Sequence, residues 1–451
     1  MYSPRIALLV MLVASLPPAV GAAPPEEAVP DTVREPAGAA GAPATAVDLQ
    51  TALRWTLQSN PGLVTVRQNL CVSAEAIEVA RRFPTSLNPT VTVNDLPWVF
   101  ERQPGDGVQR LKNLVSVSWA QPIELGHRRD FRTSMAEASY CQTRWNVLQA
   151  ELSALVQTYR LHQTATYRRE RLAVTQRLVE FNQRLLESLR RQMEANQVTA
   201  ADVVLAEVET QATAQQLETA RQEYIASLTD LRQQVGMPQY AASIEPAGDL
   251  QVPQSDLPGG DEVLVRLALE NRPEIRAATA QVANSRAALD LARADRIPVP
   301  SVGPAYERDE SGTSFYGLAV SSPIPLLNTG AALVRQREAE YHRDCVALEQ
   351  DRQQVTAQVH SVLAKWKQVG ESAARTRARS EPIHLQAERM QRLFAAGQTD
   401  LVKLLQVRGR LIEAENAQLE AVWQTTQAYA DLLAALGSTP LLGAPEPANR
   451  H

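Results

Sequence analysis

The chain has little of what most enzymes and most helical membrane proteins need. Aromatic residues make up 5% of its 451 residues, a composition of long helices rather than of a mixed globular enzyme. Beyond the amino terminus no run of about twenty apolar residues occurs, which excludes a transmembrane helix from the mature chain. The cysteines, Cys71, Cys141 and Cys345, show neither CxxC spacing nor a neighbouring histidine pattern, so a metal or thioredoxin-like site is not indicated. His127, His162, His342, His360, His384 and His451 are scattered and never fall in HExxH spacing. No GxSxG, P-loop or GxGxxG stands at a strand-to-helix junction. Catalytic residues, cofactor and metal ligands are therefore not expected, and a non-enzymatic chain must draw any energy it uses from a partner.

What is present is Ala, Gln, Leu, Arg and Glu, with a net charge of −5. Arg5, the apolar run Ile6 to Leu16 and the small residues up to Ala22 predict a secretory signal over 1–22. A Pro-, Ala- and Gly-rich leader follows over 23–46 and reads as disordered. An exported chain meets an oxidising compartment, where three cysteines allow at most one intrachain disulfide. Helix rise puts all three about 20 Å below the strands described next. A Cys71 bond to Cys141 or Cys345 is conceivable, and three buried free thiols are the preferred reading.

The remainder is one module used twice. Leu53 to Pro61 pairs with Val265 to Pro273, Pro122-Ile123-Glu124-Leu125 with Pro323-Ile324-Pro325-Leu326, and Asn196-Gln197 with Gly397-Gln398, at a separation near two hundred residues throughout. The first repeat spans 47–238, a linker 239–260, the second repeat 261–437 and a flexible tail 438–451. Each repeat predicts an ascending helix (Val47 to Arg82; Asp261 to Arg296), two strands (Thr90 to Phe100 and Asn113 to Ile123; Ser301 to Asp309 and Tyr316 to Leu326), a descending helix (His127 to Glu194; Ala331 to Ala395) and a returning helix (Thr199 to Val235; Thr399 to Leu436). A descending helix of some 65 residues is about 100 Å long. Its Leu148, Leu152, Leu155, Tyr159, Leu178, Leu185 and Leu189, like Leu404, Leu411 and Leu405, Ile412, Leu419 on a returning helix, keep coiled-coil-like spacing. Charge runs such as Arg168-Arg169-Glu170-Arg171 read as solvated faces.

The strands are the anomaly in so helical a chain. Leu114 to Trp119 alternates with period two, Val115, Val117 and Trp119 opposite Ser116 and Ser118, the apolar-out, polar-in pattern of a membrane barrel strand. Trp98, Phe100, Trp119, Tyr306, Phe315 and Tyr316 lie in or beside the strands, where an aromatic girdle would sit. A soluble hairpin capping a coiled coil is the alternative. A spanning barrel must be closed, and four strands per chain are too few, so the chain must oligomerise.

With Asn271-Arg272-Pro273-Glu274-Ile275, the Ala-rich run into Pro298, GLAVSSPIPLLNTG, and the turns NQVTAADVVLA and GQTDLVKLL in view, the chain resembles the TolC-like outer membrane efflux protein family over nearly its whole mature length. The resemblance implies a mainly α fold with a small β part: a homotrimer whose four strands per chain form a twelve-stranded barrel in outer membrane lipid of a Gram-negative-type bacterium, above a long periplasmic helical tunnel. It implies a periplasmic adaptor and an inner membrane pump, of RND or ABC type, as partners, and no nucleic acid. The strand and exit GLAVSS-PIPLLNTG look most like the cobalt-zinc-cadmium efflux subfamily. A type I protein secretion duct would share the fold, and an exported coiled-coil scaffold is the non-transporting alternative.

The turns at Asn196 and Gly397 lie farthest from the strands and so mark the periplasmic tip. Thr199 with Asp202 predicts a capping box, and Thr399 or Asp400 caps the other returning helix. Asp202 and Lys403 each lie six residues past their turn. The resemblance implies acidic residues at both positions around a constricted aperture, so Lys403 would alternate with Asp202 in place of a wholly acidic ring.

Overall fold

The computed structural model describes residues 45–97, 113–237, 244–253, 260–309, 313–396 and 398–437. The expected signal, nearly all of the leader, the tail, Trp98, Phe100 and Gly397 lie outside them. The described residues form β1 (Thr45–Val47), α1 (Leu49–Ser59), α2 (Pro61–Arg81), β2 (Thr90–Pro97), β3 (Asn113–Pro122), α3 (Arg128–Glu194), α4 (Ala200–Val235), β4 (Ile244–Pro246), α5 (Asp261–Asn271), α6 (Pro273–Ala294), β5 (Ser301–Arg308), β6 (Ser314–Ser321), α7 (Ala331–Ala395) and α8 (Leu401–Leu436).

The two ascending helices, read as continuous in sequence, are each broken at a proline. Asn60 and Arg272 precede Pro61 and Pro273 and take extended ψ values of 119° and 125°, because the proline ring excludes the helical region for the residue before it. The prolines then occupy the first turn of α2 and α6, where a missing N–H costs nothing. Both breaks serve as sockets for the ends of the returning helices. Asn60 accepts from Leu63 N at 3.1 Å and donates to Gln234 O at 2.7 Å. Arg272, 4% exposed, donates to Gln358 Oε1 at 3.0 Å and to Ala434 O at 3.4 Å. Gly236 and Gly437 end α4 and α8 in left-handed backbone, with φ of 79° and 65°. Each packs flush on its socket: a Cβ on Gly236 would lie 2.1 Å from Ser59 O, and one on Gly437 2.9 Å from Arg272 Cα.

Two short strands fall where a disordered leader and a linker were expected. β1 and β4 pair in parallel, Thr45 with Ile244 and Val47 with Pro246. They are held by a core of Val47, Ala52, Ala165, Leu231, Val235 and Ile244. The charge run at 168–171 is likewise not a solvated face. Arg169 donates to Pro246 O and Gly248 O, Glu170 accepts from Leu250 N at 2.7 Å, and Arg168 and Arg171 both pair with Glu223. Arg169 and Glu170 thus tie β4 and the segment after it to α3, and the Glu223 pairs tie α3 to α4.

Along α3 the apolar stripe is as its spacing predicts at Leu152, Leu155, Tyr159, Leu178, Leu185 and Leu189, which are buried, whereas Leu148 is exposed. α3 packs on α4 within its own repeat and on α6 and α8 of the other. Tyr159 meets Tyr429 edge-on at 6.1 Å, and Tyr167 stacks on Trp423 at 5.2 Å. Cys71, Cys141 and Cys345 are free thiols; the first two are exposed and the third half-buried rather than all buried as expected. No described helix is long and apolar enough to cross a membrane.

Candidate channel wall and tip

The four longer strands form one antiparallel sheet in the order β2-β3-β5-β6. β3 pairs with β5, so the seam between the repeats runs through the middle of the sheet and leaves β2 and β6 as edges. The register sorts the side chains. Val93, Val117, Tyr306 and Tyr316 are partners in one row across all four strands, and Val91 pairs with Trp119, Pro304 with Leu318 and Val302 with Val320 on the same face. The other face carries Thr92 with Ser118, Asn94 with Ser116, and Ala305 with Gly317. One face is thus mainly apolar and aromatic, giving way to Asp95, Val115, Arg308 and Ser314 in one outer row, while the other is mainly small and polar; the first is open, with Tyr316 83% and Leu318 69% exposed.

Of the residues expected in a girdle, Trp119, Tyr306 and Tyr316 share the apolar face, and the two tyrosine rings lie 5.1 Å apart. Phe315 pairs with Glu307 and therefore lies on the polar face. β6 also ends at Ser321 rather than Leu326, since Pro323 and Pro325 have no N–H to give a ladder. Gly303 permits the seam: a Cβ there would sit 1.7 Å from Trp119 O.

At the other end of α3 the chain turns in a Schellman motif. Asn196 is left-handed with φ of 56°, Gln197 N donates to Gln192 O at 2.8 Å and Asn196 N to Met193 O at 2.9 Å. The second repeat makes the equivalent outer bond, Gln398 N to Leu393 O at 2.9 Å, around the position of Gly397. Thr199 then caps α4 in a reciprocal box: Asp202 N donates to Thr199 Oγ1 at 3.3 Å, and Thr199 N and Oγ1 donate to Asp202 Oδ2 at 3.0 and 2.6 Å. Those bonds from Thr199 hold the Asp202 carboxyl below the usual carboxylate range. In the second repeat Asp400 is the cap, accepting from Val402 N at 3.4 Å, while Thr399 turns back to Met390 Sδ at 3.6 Å. Asp202 and Lys403 are consequently both the third residue of their helix. Lys403 is exposed and makes no hydrogen bond or ion pair among the described residues. Leu185, Leu189, Val203, Ala206, Leu401 and Leu404 form one core beneath both turns, which fixes the two hairpins at a common level.

An open-edged, two-faced sheet rooted in tandem long helical hairpins is the fold of outer membrane channels. The outer-membrane channel OprN superposes with a TM-score of 0.70 at 19% identity, over 86% of this chain and 89% of that one. The MtrE outer membrane channel of Neisseria gonorrhoeae, in its open state, gives 0.68 at 20% identity over 86% and 88%. CusC gives 0.70 at 13% identity over 88% and 94%. No curated protein sequence matches the chain. The family model for outer membrane efflux protein matches residues 264–438. That match covers the second repeat, and the first repeat shares its architecture.

Proposed function

We propose that the chain is the outer membrane component of a tripartite efflux assembly, a passive homotrimeric duct that receives its substrates from a periplasmic adaptor and an inner membrane pump and releases them outside. The observation that carries the reading is the sheet. Lipid cannot satisfy an open strand edge, so β2 and β6 must pair beyond their own chain. Three copies bring twelve strands, an even number within the range of closed bacterial barrels. Native mass spectrometry of the detergent-purified protein tests it: a trimer that opens pores in planar bilayers is expected, and a monomer without pores refutes it.

Two finer readings belong here. The likeness of the exit GLAVSS-PIPLLNTG to the cobalt-zinc-cadmium efflux subfamily supports cobalt, zinc or cadmium ions as cargo. A strain lacking the gene should then be sensitised to these metals; sensitisation only to dyes and antibiotics would refute the metal assignment. At the tip, the matched third-residue positions of Asp202 and Lys403 support a mixed-charge aperture in which the two alternate around the ring. Lys403→Glu should raise the cation selectivity of single channels, and an unchanged reversal potential would remove Lys403 from the aperture.

A further inference from the structure

Four helix ends root the sheet: those of α2 and α6, and the starts of α3 and α7. They are tied to one another. Arg128 Nη2 donates to Ala294 O at 3.2 Å and its Nε lies 3.3 Å from Asp295 Oδ1, Arg296 Nε donates to Thr329 O at 3.3 Å, and Arg81 pairs with Glu137 at 3.2 Å. At each root the chain passes from the sheet through an exposed apolar side chain to an arginine. The pairs, reading away from the strands, are Phe83 then Arg82, Leu125 then Arg129, Ile297 then Arg296, and Leu327 then Arg335. Leu326 and Leu327 are 82% and 103% exposed, in the segment between the end of β6 at Ser321 and the start of α7.

The side chains of Arg82, Arg129 and Arg335 are exposed and make no hydrogen bond or ion pair among the described residues. Helix stability explains Arg82, at the carboxyl end of α2, but not Arg129, the second residue of α3, an end at which the helix dipole disfavours a cation; Arg335 is the fifth residue of α7, past its first turn and three residues before Glu338. The exposed acid nearest Arg129 in the chain, Asp130, is one residue along α3 and so about 100° around the helix. An apolar belt with unpaired guanidinium groups beneath it matches a lipid boundary, acyl chain above and phosphate below. Arginine suits that place because its stem lies along apolar surface while its planar fork takes two phosphate oxygens.

We propose that this collar binds the headgroups of anionic phospholipid in the periplasmic leaflet, with Arg82, Arg129 and Arg335 as the phosphate ligands and the belt around Leu326 and Leu327 as the acyl-chain contact. The proposal rests on the channel reading above. The test uses the full chain and its R82Q/R129Q/R335Q variant, each purified in detergent, offered phosphatidylglycerol and phosphatidylcholine together, and weighed with bound lipid by native mass spectrometry. The parent should retain phosphatidylglycerol in preference, and the variant should lose about fivefold in that preference for each arginine at a headgroup. Leu326→Ser with Leu327→Ser should lower retention of both lipids and leave the preference intact. Equal retention of the two lipids by the parent, an unchanged preference in the variant, or displacement of the lipid by millimolar inorganic phosphate overturns the proposal. So does a change in pore ion selectivity with lipid retention unaltered, which would put the arginines on the duct wall. Trimers and pores without a headgroup preference defeat this proposal alone; the absence of both from parent and variant defeats the channel reading with it.

Discussion

Replacing Gly236 by alanine attacks the joint between a returning helix and its socket. The substitution forces a left-handed alanine, which costs about 1 kcal/mol. The added Cβ, 2.1 Å from Ser59 O and 2.6 Å from Ser59 C, must push α4 and the α1–α2 break apart by about 1 Å. Overpacking of that kind costs about 1–3 kcal/mol. The same movement stretches the 2.7 Å bond from Asn60 to Gln234 O, worth about 1 kcal/mol. The total, about 3–5 kcal/mol, is local to the end of α4. Hydrogen exchange reads it there, at the amides of Gly236 and Met237, which bond Gln233 O and Arg232 O. Their protection should fall by at least about a hundredfold. Gly248→Ala is the control: its φ is 92°, yet a Cβ there meets nothing within 4 Å, so only the backbone cost applies. If the two substitutions reduce protection at Gly236 and Met237 equally, the socket is not a close-packed joint and the reasoning fails.

Three further outcomes follow from the same geometry. Gly303→Ala should wedge β3 from β5 and abolish heat-stable trimers on unboiled gels, whereas Gly317→Ala, whose Cβ meets nothing within 4 Å, should not; trimers in both would refute the close approach. Thr199→Ala removes the two bonds of the Thr199 hydroxyl, from Asp202 N and to Asp202 Oδ2, while that from Thr199 N remains, and should destabilise the first turn of α4 by about 1 kcal/mol, seen as faster exchange at Asp202 N. His162 is 3% exposed, with Nε2 3.1 Å from Val47 O and Nδ1 unpartnered, and burial pushes its pKa below the ordinary value against smaller opposing effects of the Val47 bond and of Asp48, while Arg169 adds to the lowering. With a folded pKa below the unfolded one, the stability it supports is complete above about pH 6.5 and is lost as pH falls beneath that value. The protection factor at Ala247 N, which also bonds Val47 O, should therefore fall on acidification in the parent and not in His162→Gln; equal pH dependence in both would exclude His162.

The long elements were readable because their signals are local and repeated. The alternation of Leu114 to Trp119 gives the two faces of β3, and the leucine spacing from Leu152 to Leu189 gives the buried stripe of α3. What was missed depends on partners remote in sequence. β1 and β4 are three residues each, carry no period, and exist because the Arg169 guanidinium and a core drawn from five segments hold them together. The breaks at Asn60 and Arg272 were legible from their prolines alone, yet helix-forming composition on both sides masked them. Phe315 could have been placed from sequence: adjacent to Tyr316 in a strand, it must face the other way. At the tip, the spacing of Thr199 and Asp202 foretold the capping box, whereas the choice of Asp400 over Thr399 as the second cap depends on Met390 drawing the threonine away.

The β3–β5 seam has a consequence for how the ring is written into the polypeptide. Its rule is that the trailing strand of one hairpin abuts the leading strand of the next, and β6 and β2 are left to apply that rule between chains. In the proposed trimer a chain is then two beads of a six-bead necklace, and the described part of the thread between its beads carries no ladder bond of the barrel. Cutting that thread should leave two half-length polypeptides that still recognise each other, strand by strand, when expressed in one cell.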